Sequence, residues 1–155
     1  MTTLHLRRSA PFDPFPLERL LSDPEELALV NPGAKVPFDP MEWDRIWLGE
    51  IDDAAFYLVD DTDREVGFFA LRAGIGPEQR HLVYVFVEEA RRGGAGTRLA
   101  ELAEEAALDL RALTITLKVE LENAPARALY LSRGYEDLGE SGGMAIMRKD
   151  LVPLG

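Results

Sequence analysis

The chain contains no cysteine, which removes disulfides, thiolate metal ligands and a cysteine nucleophile in one step. That usage fits a reducing, cytoplasmic setting, and no metal is expected. Histidine is scarce as well: only His5 and His81 occur, each at a strand-like position without an obvious partner, so both read as structural. No stretch approaches the roughly 20 apolar residues of a membrane-spanning helix, and Met1 to Pro11 lacks an apolar signal core. Positive charge is in short supply, with 17 Lys and Arg against 28 Asp and Glu, a net charge of −11. A nucleic-acid face would have to work against the field of the whole molecule. Neither nucleic acid nor a membrane is therefore an expected partner, whereas an acidic surface can draw in cationic ligands such as amines. What is present, 155 residues of which 46% are hydrophobic, suits one domain spanning residues 1–155. A chain of that size buries about 68–70% of its unfolded surface, enough for a core without staples.

Seven of the ten prolines fall at or before Pro40, so the first part reads as short helices between tight breaks. Ser22 and Glu25 have capping-box spacing around Pro24, and Asp39, Pro40 and Glu42 start a second helix carrying Trp43, Ile46 and Trp47. Leu4 to Arg8 alternates as a strand covered on one face. Ala54 to Val59 and Glu65 to Arg72 are strand runs around a polar turn, and Leu82 to Val87 reads as a central strand buried on both faces. Leu99, Leu102, Ala103, Ala106, Ala107 and Leu110 form one apolar helical stripe. A strand over Leu113 to Val119 follows. Asn123 to Arg133 is then a short helix with Asn123 as cap and Gly134 at the stop, and Ala145 to Lys149 is a last strand.

Arg91-Arg92-Gly93-Gly94-Ala95-Gly96 stands between the presumed central strand and the striped helix. Glycines there let the backbone approach a ligand while first-turn amides point outward, a geometry that binds anions. Arg91, Arg92 and Arg98 add local positive charge to an acidic protein. A dinucleotide fingerprint would need glycine where Leu99 stands, and a triphosphate loop would need a lysine that is absent.

The segment does resemble the R/Q-x-x-G-x-G/A pyrophosphate loop of the GNAT superfamily of acetyl-CoA-dependent N-acetyltransferases. Asn123, Ala126, Leu129, Tyr130, Gly134 and Tyr135 resemble the family's second signature, N-x-x-A-x-x-L-Y followed by G-F/Y, and Met147 to Leu151 is similar to its last strand. The likeness runs from about Leu82 to Leu151, and the first fifty residues match loosely. It implies a mixed α/β fold: a twisted, mostly antiparallel sheet, splayed at the cofactor cleft and flanked by helices on both faces. It implies acetyl-CoA as cosubstrate, with its pantetheine arm along the Val85, Phe86 and Val87 backbone. Its pyrophosphate would lie at Arg91, Arg92, Gly93, Gly94, Ala95, Gly96 and Thr97. Asn123 either contacts the pantetheine or merely caps its helix.

Direct acyl transfer to a primary amine, as the family implies, needs an oxyanion donor, for which a backbone amide around Val85 to Val87 is the candidate, and an acid for the leaving thiolate, for which Tyr130 matches. It also needs a neutral amine. A lysine-type amine is neutral in roughly one molecule in 2,500 at pH 7, a deficit of about 4.6 kcal/mol. Glu120, Glu122, Glu88 and Glu89 lie at strand ends where a base could act, although each reads more readily as a solvated carboxylate, and no base is assigned. Trp43, Trp47 and Tyr57 either line an acceptor pocket or belong to the core, and Glu42 or Asp44 beside them would favour a cationic acceptor. A non-catalytic acyl-CoA-binding module with the same fold is the alternative, a mononucleotide binder ranks below it, and a homodimer stays open.

Overall fold

The computed structural model describes residues 4–50, 52–74, 76, 78–88 and 92–151, with residues 92–95 described through their backbone. Seven strands form one hydrogen-bonded sheet: β1 (His5–Ser9), β2 (Ala54–Val59), β3 (Glu65–Ala73), β4 (Gln79–Val87), β5 (Thr114–Glu120), β6 (Glu136–Ser141) and β7 (Met144–Asp150). They are ordered β1-β2-β3-β4-β5-β7-β6. β1 and β2, β5 and β7, and β6 and β7 pair antiparallel, whereas β4 and β5 are parallel. The helices are α1 (Phe15–Leu20), α2 (Pro24–Val30), α3 (Pro40–Glu42), α4 (Arg92–Asp109) and α5 (Ala124–Ser132). The mixed, mostly antiparallel α/β architecture is the one expected. The chain divides into two compact units, Met1–Ala70 with Tyr84–Gly96 and Leu71–Val83 with Thr97–Gly155.

In the first unit every residue of β2 is buried, as is Val66 to Ala70 in β3, so these strands are apolar runs rather than alternating ones. Their rings interlock: Phe56 stacks on Phe69 with centroids 5.2 Å apart, and Tyr57 tilts against Phe68 at 5.1 Å. Such pairs contribute about 0.5–1.5 kcal/mol each beyond burial. The turn between the two strands is closed by Asp60, whose Oδ1 accepts the Thr62 and Arg64 amides at 2.9 and 3.1 Å. The cap of α2 is Asp23, whose Oδ1 accepts the Glu25 amide at 2.9 Å, rather than Ser22. Pro24 takes the first helical position, which makes the extended residue just before it the cap. Asp39 caps α3 as expected, but the helix widens into a π-helical turn over Trp43–Trp47.

In the second unit the α4 stripe is buried at Leu99, Leu102, Ala103, Ala106 and Ala107, with Leu110 half-buried. Ile115, Leu117 and Val119 of β5 and Ala145 and Met147 of β7 complete its apolar interior. β4 begins at Gln79, three residues before the expected start, because it pairs with β5 from Gln79↔Thr114 to Leu82↔Leu117. It is not buried on both faces: only Leu82, Phe86 and Val87 are buried within it. β6 was not expected at all. Each of its residues is exposed, so it carries no alternation, and a register shift between Asp137 and Gly139 breaks it further, with Gly139 at φ +116°.

Candidate active site

Local sequence builds the surroundings of Tyr130. Asn123 Oδ1 accepts the Ala126 amide at 3.2 Å, so the capping role is realised, and Pro125 lies in the first turn. At the other end Gly134 takes φ +92°, a left-handed conformation that suits glycine. Its amide donates to the Leu131 carbonyl at 3.1 Å, while the Tyr135 amide donates to the Tyr130 carbonyl at 3.0 Å. This is the Schellman arrangement, in which the residue after the glycine meets the side chain five positions back. The Tyr135 ring accordingly packs edge-on against Tyr130, with centroids 5.3 Å apart. Tyr130 is 8% exposed. Burial pushes its hydroxyl up to about 12, and among the described residues that hydroxyl makes no hydrogen bond. Tyr130 therefore keeps its proton at neutral pH.

β4 carries the feature that the sequence did not reveal. Tyr84 has φ +56°, a left-handed conformation that is an outlier for a bulky residue inside a strand. It lies two residues beyond Leu82, where the register with β5 ends, and three residues before the strand's last residue, Val87. Its ring meets Trp43 edge-on at 5.1 Å, and Trp43 in turn packs on Phe38 at 5.5 Å. Aromatic packing thus surrounds a backbone irregularity that re-aims the strand just ahead of Val85, Phe86 and Val87. A Cβ at Gly67 would come within 2.8 Å of the Phe86 carbonyl, so glycine is what permits β3 to approach there.

The glycine segment is the opening turn of α4 rather than a loop before it, since the helix already runs from Arg92. Arg91 and Glu89 lie outside the described residues, and Arg92, Gly93, Gly94 and Ala95 are described as helical backbone only; Gly96 and Thr97 follow in the same helix. The first amides of an 18-residue helix have no partner within it and sit at the positive end of its dipole. Arg98 pairs with Glu101 at 3.1 Å on the exposed surface.

Glu88 is neither a solvated carboxylate nor available as a base. It is clasped by Arg19 at 2.8 Å and by both Arg64 terminal nitrogens at 2.8 and 3.0 Å. Glu120 and Glu122 are exposed. His81 bonds Thr116 Oγ1 at 2.8 Å, and burial, then the charges of Lys118 and Arg72, hold its pKa below the usual range, in keeping with a structural role. Trp43 and Tyr57 are core, at 0% and 1% exposure, while Trp47 is half-buried. The Tyr57 hydroxyl donates to the Asp13 carbonyl. Glu42 is buried and accepts the Lys35 amide at 2.9 Å, so it shapes its own loop rather than facing an acceptor. Among the described residues no group of three or more His, Cys, Asp or Glu is placed to hold a metal ion.

A family model described as the acetyltransferase (GNAT) family matches residues 17–135. The chain belongs to the GNAT acetyltransferase family. No curated protein matches the sequence. Solved GNAT structures share its fold. Spermidine N-acetyltransferase from Vibrio cholerae, solved with CoA and spermine, has a TM-score of 0.72 at 17% identity over 94% of this chain and 92% of its own. Aminoglycoside 6'-acetyltransferase type Ii has 0.73 at 23% identity over 97% and 99%. The GNAT domain of S. lividans PAT has 0.75 at 13% over 96% and 90%. The GNAT match covers Tyr130 and the opening turn of α4, and it also takes in the early helices that the motifs left unmatched.

Proposed function

We propose that the protein is an N-acetyltransferase that moves an acetyl group from acetyl-CoA to a primary amine by direct attack. The observation that carries this is Tyr130, on the helix bearing the second GNAT signature: a buried ring whose hydroxyl, protonated at neutral pH, bonds to none of the described residues and so stays open to a ligand. The unpaired first-turn amides of α4 likewise suit a diphosphate. Acetyl-CoA supplies an activated acyl carbon and a thiolate leaving group.

In this reading the amides of Arg92 to Thr97, together with Arg91, hold the pyrophosphate. The strand beyond the Tyr84 irregularity runs beside the pantetheine, and an amide of Val85 to Val87 faces the developing oxyanion, a contribution of about 2.7–4 kcal/mol for such donors. The Asn123 side chain keeps its Nδ2 for the pantetheine while Oδ1 caps α5. As the amine nitrogen bonds to the acyl carbon and the carbon–sulfur bond breaks, Tyr130 hands its proton to the departing sulfur and regains one from solvent. Positioned acids of this kind are worth about 10²–10⁴ in rate. The amine loses its own proton to water, and Glu88 at the end of β4 is already engaged by two arginines.

The test is a melting-temperature panel of acyl-CoAs against ATP and NAD, followed by thiol release from acetyl-CoA with pooled primary amines. Stabilisation by acetyl-CoA with amine-dependent thiol release is expected. Stabilisation by acetyl-CoA without thiol release from any amine would leave a non-catalytic acyl-CoA-binding module, and stabilisation by ATP alone would remove both readings.

A further inference from the structure

We propose that Glu104 is a positioning residue for Tyr130, acting through Arg133 and Tyr135; this rests on the proton-donor role given to Tyr130 above. Glu104 lies in the middle of α4 and is 8% exposed. Its two oxygens accept Arg133 Nε at 3.0 Å and Arg133 Nη2 at 2.9 Å, a bidentate pair, and Lys149 Nζ at 2.7 Å. The Tyr135 hydroxyl donates to Oε2 at 3.4 Å. Four donors fill the roughly four acceptor sites of a carboxylate, so no capacity is left for handling substrate protons. Burial by itself would raise the pKa of Glu104; the hydrogen bonds from Arg133 and Lys149, and their charges, outweigh it and hold it lowered. Glu104 is therefore a fixed negative charge.

Arg133 and Tyr135 flank Gly134, so Glu104 grips the turn that ends α5 from both sides. That turn includes the Tyr135 amide bonded to the Tyr130 carbonyl, and the Tyr135 ring stands between the carboxylate and the Tyr130 ring. Lys149 of β7 closes the arrangement, 5.7 Å over the Tyr135 ring while bonded to Glu104. Three elements thus meet on one carboxylate, and what they hold in common is the ring against which Tyr130 rests. Reacting groups must be held within about 0.5 Å of productive geometry. Loosening Glu104 should reach turnover through Tyr130 and by no other route.

Four tyrosines make the test tractable. In ring-labelled protein, with signals assigned by single Tyr→Phe variants, Glu104→Gln is expected to move the Tyr130 and Tyr135 resonances and leave Tyr57 and Tyr84 in place. With the fastest amine of a panel containing spermidine, kanamycin and a lysine peptide, kcat for thiol release is expected to fall about three- to tenfold. KM for acetyl-CoA should stay within about twofold, and Glu104→Gln should cost nothing further in a Tyr130→Phe background. An unmoved Tyr130 resonance, or an equal loss of kcat in the Tyr130→Phe background, would overturn the proposal. If no amine supports thiol release, the acetyltransferase reading fails, while the resonances still decide whether Glu104 holds Tyr130. Should Glu104→Gln not fold, Tyr135→Phe detaches the ring from Glu104 without emptying its space, and the same outcomes on Tyr130 and kcat decide.

Discussion

Tyr57 and Tyr130 are both buried tyrosines, one in each compact unit, and their hydroxyls are engaged differently. The Tyr57 hydroxyl is committed to the Asp13 carbonyl and its ring to Phe68. The Tyr130 ring is equally committed, to Tyr135, but its hydroxyl bonds to none of the described residues. Burial raises both pKa values, so a perturbed pKa does not separate them. The disposition of the hydroxyl does: that of Tyr57 is tied into the scaffold, whereas that of Tyr130 bonds to none of the described residues and is open to a ligand.

The largest effect on stability that follows from this comparison is at high pH. A tyrosine whose folded pKa is raised binds its proton where the unfolded chain has lost it, so its contribution is complete below pH 10 and disappears as pH rises through the folded value. For Tyr130, at about 12 against an ordinary 10.0, that amounts to roughly 3 kcal/mol. Denaturant unfolding of wild type and Tyr130→Phe between pH 9 and 12 should show the wild type losing its advantage; parallel curves would mean that Tyr130 is not desolvated. Next comes Tyr57→Phe, which strands the Asp13 carbonyl and should lower stability by about 1–2 kcal/mol while leaving thiol release unchanged. A loss of turnover there would erase the distinction between the two residues. Smallest is a contrast at Tyr84. Tyr84→Gly and Tyr84→Ala both lose the ring against Trp43, but only glycine takes φ +56° freely, so Tyr84→Gly should be the more stable of the two by about 1 kcal/mol. Equal melting points would place the strain elsewhere.

Much of this was legible because it is written locally. The Asn123 cap, the Gly134 stop and the α4 stripe from Leu99 depend on residues a few positions apart, and all three appear as read. Tyr130 was found through a signature that lies within one helix and its terminating turn. What escaped depends on distant partners. Glu88 read as a solvated carboxylate because Arg64 and Arg19 stand 24 and 69 positions away in the chain. β6 escaped because an exposed strand has no apolar face to announce it, and nothing in the identity of Tyr84 signals a left-handed backbone. Glu104 had a visible sign, a carboxylate directly after Ala103 of the apolar stripe, but its meaning came only with Arg133, Tyr135 and Lys149 around it.

Whether Tyr130 supplies the leaving-group proton is decided by one paired measurement on Tyr130→Phe: the melting-temperature shift produced by saturating acetyl-CoA, and the rate of thiol release with an accepted amine in the same preparation. The shift should match that of the wild type while the rate falls at least about tenfold. An undiminished rate with the shift intact would contradict the assignment.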